Sequence, residues 1–190
     1  MHDSRMKWLT LAGAMCVAMS LPAMALPGLA RSVTGAAVSL PQKEKKDYLS
    51  PLEADQIRDA PTVSDRVKLF LGFAADRLRK IDYELQRKEK DRLWSERVSS
   101  LINAYSGCVD DAADFLEAGL EKQENLRPGT KELDKRTKEF LPKLRELREN
   151  PLLAAFKSDI GDAIEATQEA AKTAEKVAKE LSAAPERRRP

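Results

Sequence analysis

Histidine is almost missing from this chain. The one copy, His2, lies in a stretch that reads as removable. Without it the commonest general base, triad partner and zinc ligand is gone, and the Glu-x-x-His pairs of di-iron bundles cannot form. Cysteine is nearly as scarce, with Cys16 and Cys108 only. No CxxC and no Gly-rich phosphate loop occurs. Aromatic residues make up 5% of the chain. Strand-like alternation and hairpin dipeptides are absent throughout, which leaves an all-α fold. Neither sign of charge dominates: 33 basic and 31 acidic side chains are interspersed, so no nucleic-acid interface is expected.

The one long apolar run is WLTLAGAMCVAMSL, from Trp8 to Leu21. At 14 residues it falls short of the roughly 20 needed to span a bilayer as a helix. Arg5 and Lys7 precede it, Pro22 ends it, and Ala23-Met24-Ala25 supplies the small residues of a cleavage site. The segment 1–25 therefore reads as a secretory signal cleaved after Ala25, with retention as an anchor the alternative. Lipidation at Cys16 is excluded because Met15, not a small residue, precedes it. Cleavage would leave 165 of the 190 residues, enough for one domain with a real core. It would also leave no histidine and Cys108 as the lone thiol, so no intramolecular disulfide is possible in an oxidising space. The expected location is the periplasm or the extracellular space.

Residues 26–47 contain Pro27, Gly28, Gly35 and Pro41 and no sustained period, as expected of a linker. Ordered sequence begins at Tyr48. Ser50, Pro51 and Glu53 form a capping box that opens a short helix over 51–60, ended by Pro61. The next helix is expected over 65–88, capped by Ser64. Its main stripe is Val67, Phe70, Leu71, Ala74, Leu78, Ile81 and Leu85. Leu69 and Phe73 fall on the opposite side. Either the short helix covers them through Leu49, Leu52 and Ile57, or they form a surface for a protein partner.

Gln86 to Arg92 interrupts the pattern without Gly or Pro, so the sequence does not place the break. The stretch is either a solvated turn or a bare segment of one long helix; a reversal is the expectation, because one helix over 65–124 would be about 90 Å long at 1.5 Å per residue. The spine runs from Asp91 to Lys122, with Trp94, Val98, Leu101, Ile102, Tyr105, Val109, Ala112, Phe115, Leu116 and Leu120 on one side. A turn at 125–129 follows, then a helix capped by Thr130, with Leu133, Thr137, Phe140, Leu141, Leu144 and Leu147 inward and a kink at Pro142. Asn150-Pro151 opens a last helix over 151–182, whose stripe is Leu153, Phe156, Ile160, Ala163, Ile164, Thr167, Ala171, Ala174, Ala178 and Leu181. Pairs four apart, including Asp76–Lys80, Glu84–Lys88 and Glu132–Arg136, support these helices. The sum is an antiparallel bundle of four main helices plus a short N-terminal helix over 48–182, with a disordered basic tail over 183–190. Membrane contact is expected only from the signal segment or, weakly, from Arg187, Arg188 and Arg189 in the tail.

Three features invite chemistry. Of Asp110, Asp111, Asp114, Glu117 and Glu121, all but Asp111 cluster opposite the stripe through Val98, Tyr105 and Val109, and Asp159, Asp162, Glu165 and Glu169 repeat the picture on the last helix. Both rows are expected to face water, with no metal and no cofactor. Cys108 projects to the margin of the stripe, either as a partly buried small residue or as the site of an intermolecular disulfide giving a homodimer. Gly119 projects inward and allows close helix approach.

The capped start YLSPLEADQIRDA and the following RVKLFLGFAADRL resemble small exported all-helical bacterial proteins without assigned function. The likeness spans Tyr48 to about Leu85 and carries no catalytic motif. It implies export and a helical domain, and it transfers no active site. The expected function is non-enzymatic: a structural, scaffolding or chaperone-like protein of the cell envelope. The alternative is a carrier of a small apolar ligand, held where alanines of the last helix thin the packing against Trp94, Phe115 and Phe140.

Overall fold

The computed structural model describes residues 48–183. The signal segment 1–25 with its cleavage point at Ala25, the linker 26–47 and the arginines of the tail lie outside the described residues.

The described chain is α-helical: α1 (Pro51–Asp59), α2 (Val63–Gln86), α3 (Trp94–Glu121), α4 (Arg127–Glu149), a 3-10 turn (Pro151–Phe156) and α5 (Lys157–Ala183). α2 packs on α3, α3 on α5, α5 on α4 and α4 on α2, so the four long helices form a ring in which α3 and α4 are diagonal. Successive long helices run antiparallel. Within the ring, however, two neighbouring pairs are parallel. Tyr105 of α3 meets Thr167 of α5 at 2.7 Å, and further along both helices Glu117 meets Lys176 at 3.1 Å. Late in α2, Asp82 meets Lys143, late in α4, at 2.9 Å. The four long helices are thus two hairpins, α2–α3 and α4–α5, laid side by side in the same orientation.

The link between the hairpins explains several residues. α3 ends in two reversed hydrogen bonds, Glu124 N to Gly119 O at 3.1 Å and Gln123 N to Leu120 O at 3.0 Å. Gln123 carries the positive φ of 57° that this ending demands. The chain then crosses the end of the bundle, and Leu126 plugs it with no exposed surface. Gly119 is required there, because a Cβ would stand 2.7 Å from Leu126 and 3.0 Å from Val63. Gly129 likewise lets α4 approach Ser64, whose Cα would be 3.1 Å from an added Cβ.

Both expected caps at this end are corrected by the same crossing. Thr62, not Ser64, caps α2, accepting from Asp65 N at 3.1 Å. Ser64 instead turns inward, donating to Asn125 O at 2.9 Å and accepting from Gly129 N at 3.2 Å. Thr130 lies inside α4, which begins at Arg127, and its hydroxyl donates back to Leu126 O at 2.9 Å. Asn150 does cap the next turn, accepting from Leu152 N at 3.0 Å, but that turn is 3-10 and α5 starts only at Lys157. α4 continues through Pro142, which sits on its exposed side.

The core follows the expected stripes with two changes. In the last turns of α5 the buried positions are Ala170, Ala174 and Val177, whereas Ala178 is exposed and Ala171 is half-buried. On α3, Ala104 and Cys108 are buried beside the stripe. This helix packs against both α2 and α5, so its buried arc is wider than one stripe. In the middle of the bundle Tyr105 and Phe140 meet edge-on with ring centroids 5.7 Å apart.

Candidate functional site

The turn between α2 and α3 is held by charge. With no Gly or Pro to force a reversal, residues 87–93 fold around Lys90 and Arg97. Lys90 Nζ donates to the carbonyls of Glu84, Leu85 and Arg87 at 2.5, 3.0 and 3.0 Å, so a cation occupies the carbonyl end of α2. The same ammonium lies 5.2 Å from the centre of the Trp94 ring, whose Nε1 donates to Glu84 O at 3.2 Å. Arg97 then reaches back across the turn, donating to the Glu84 carboxylate at 3.2 and 3.1 Å and pairing with Asp91 at 3.0 Å. Glu84 is therefore bound across the turn rather than to Lys88. The Arg97 hydrogen bond keeps its carboxyl below the usual carboxylate range, and the same contact raises the guanidinium.

A groove of about 480 Å³ lies along this hairpin. Tyr83, Leu93 and Leu101 provide its apolar walls, and Lys80, Glu96, Arg97 and Glu84 its charges. Tyr83 is 66% exposed and Leu93 55%. The second hairpin turns at the same pole, because Trp94 meets Phe156 edge-on at 6.0 Å. Leu152, in that second turn, is 54% exposed. Among the described residues, three of the four exposed large apolar side chains thus belong to one end of the bundle. The fourth, Leu52, is on α1.

The ion pairs around Glu84 leave this carboxyl unsuited to act as a general acid. A general acid near neutral pH needs a carboxyl pKa raised by burial, whereas Glu84 is held ionised. Ser100 lines the groove, and the described residues include no histidine to activate it.

The residues singled out in the sequence do not gather into one site. Leu69 and Phe73 are both half-buried, and Phe73 packs against the core together with Leu49 and Ile57 of the N-terminal segment. Leu52 takes no part in that cover. Cys108 has no exposed surface, so its thiol is not presented for a disulfide between folded copies, and burial pushes it up to about 12. The acids disperse: Asp111 accepts from the Tyr48 hydroxyl, Glu117 pairs with Lys176, and Asp159 faces Ser99. Among the described residues no cluster of three acids, histidines or cysteines could hold a metal ion, and no helix is long and apolar enough to cross a membrane.

One polar cluster escaped the sequence. Arg77, with 7% of its side chain exposed, donates to both carboxylate oxygens of Glu53 at 2.5 and 2.7 Å and to Tyr48 O at 3.3 Å. Glu53 also closes the capping box with Ser50 N at 2.9 Å. The Arg77 contact holds its carboxyl down at about 2. Arg77 stands outside the apolar stripe of α2, next to Asp76, and no periodicity shows that it turns under α1.

The chain matches no family model, no curated protein and no solved structure.

Proposed function

We propose that this is an exported, non-enzymatic protein of the bacterial cell envelope that binds another protein through the pole carrying Tyr83, Leu93 and Leu152. One observation carries this reading. Exposed apolar side chains are concentrated at one end, on a turn stiffened by the Glu84–Arg97–Asp91 ion pairs. An exposed tyrosine beside aliphatic walls, rimmed by charge, is the composition of an interface anchor. Export rests on the signal-like segment ending at Ala25 and on the resemblance to exported helical proteins.

Site-specific photo-crosslinking in the native host tests the binding surface. A crosslinking residue at Tyr83 or Leu93 is expected to yield a discrete protein adduct that the same residue at Leu52 does not. No adduct at the pole, or the same adduct at all three positions, overturns the reading. N-terminal sequencing of the protein from the extracytoplasmic fraction tests export, with Leu26 as the expected first residue. An intact N-terminus in the cytoplasmic fraction overturns it.

A further inference from the structure

The N-terminal segment sits on the bundle in a way that none of the long helices does. α1 contains no buried residue, and Leu52 points into solvent with 68% of its surface exposed. Beside the part-buried Leu49 and Ile57, two polar anchors fix the segment. The first is the Glu53–Arg77 ion pair. The second is Tyr48, whose hydroxyl donates to Asp111. Its ring rests on Gly107, where an added Cβ would come within 2.7 Å of the ring carbons. The glycine is therefore a seat shaped for that tyrosine. The two anchors meet, because Arg77 also donates to Tyr48 O at 3.3 Å, and Cys108 directly follows Gly107, the seat of the Tyr48 ring.

We propose that Tyr48–Asp59 is a detachable strap whose release, with the four-helix ring intact, admits thiol reagents to Cys108. Its energetics favour separate release. The apolar surface that returns to water when the strap lifts is that of the part-buried Tyr48, Leu49 and Ile57 and of Phe73 beneath them, a fraction of the ring's core, and Glu53, Asp111 and the Arg77 guanidinium each exchange a protein partner for water. Opening the ring would instead expose Tyr105, Phe140 and the whole apolar core. The two openings therefore differ in the surface they expose, and a denaturant reads that difference directly. This inference stands apart from the apolar binding surface at the pole and survives or falls without it.

The experiment uses the full chain carrying Cys16→Ser, so that Cys108 is the sole thiol, and dithiobis-nitrobenzoate as probe. The Cys108 thiolate attacks one sulfur of the reagent. A mixed disulfide forms, the reagent's S–S bond breaks, a coloured thiolate leaves, and the thiol proton passes to solvent. The expected result is a labelling rate that rises with urea at low concentration far less steeply than global unfolding does. Glu53→Gln is expected to raise that rate about tenfold or more, as loss of a buried ion-pair partner implies. Gly107→Ala, which unseats the Tyr48 ring and leaves the ion pair in place, should act in the same direction. A labelling rate with the full urea dependence of global unfolding overturns the proposal. So does a rate that neither substitution changes. Should a variant fail to fold, the urea dependence of the Cys16→Ser chain alone decides.

Discussion

Tyr105 and Phe140 touch across the diagonal of the bundle, from two helices that otherwise barely meet. The tyrosine hydroxyl reaches Thr167 on a third helix at 2.7 Å, and Thr167 in turn donates to Ala163 O at 2.7 Å. The pair thus ties three of the four long helices together at one level. Tyr105→Phe is expected to cost about 1 kcal/mol, the worth of one hydrogen bond, because Thr167 keeps its carbonyl partner. Phe140→Ala should cost about 3–5 kcal/mol. A double-mutant cycle on urea unfolding should return a coupling of about 0.5–1.5 kcal/mol between the rings.

Gln123 occupies a backbone conformation that glycine adopts without penalty. Gln123→Gly is therefore expected to stabilise the protein by about 0.5–1 kcal/mol in urea unfolding. Gly119→Ala, four residues earlier, should destabilise by about 1–3 kcal/mol as Leu126 and Val63 are displaced. Opposite signs at two neighbouring positions make the pair a sharp check on how α3 ends.

Stability should fall in acid through Glu53. Its folded pKa, about 2, lies below the ordinary 4.5, so the carboxylate's contribution is fully present above the ordinary value and is lost as pH falls through about 2. Glu53→Gln should flatten the difference between urea midpoints measured at about pH 5 and pH 2.5. An unchanged acid limb would show that the Arg77 contact contributes nothing in solution.

Lys90→Ala should loosen the hairpin turn without unfolding the bundle. Three carbonyls at the end of α2 lose their donor. Amide exchange is expected to accelerate in the last turn of α2 and the first turn of α3 and to stay unchanged around Tyr105. Trp94 emission should shift to the red as its ring loses the covering cation.

The helices and the greater part of the core were legible because apolar spacing is a local property. Val67 to Ile81, Val98 to Leu116 and Leu133 to Leu147 fill the stripes that the sequence outlines. What the sequence did not show depends on partners far along the chain. Ser64 looks like a cap until Gly129 and Asn125 arrive beside it, 61 and more residues later. Arg77 looks solvated until Glu53 folds back over it. The reversal after Gln86 carries no turn residue, since its cause is Lys90 on carbonyls and Arg97 on two carboxylates. Tyr83 and Leu93 stood outside every stripe and drew no notice singly. They become a surface only when the hairpin brings both to one groove, with Leu152 in the neighbouring turn at the same pole.

The side-by-side placement of the two hairpins bears on how the chain assembles. Each hairpin pairs helices adjacent in sequence, so each closes over a short loop and loses little chain entropy in doing so. The docking of one on the other then depends on the five residues between Glu121 and Arg127, with Leu126 as the bolt. Tyr105 and Phe140 sit on opposite sides of that joint. They should acquire their native contact late, after each hairpin has already formed.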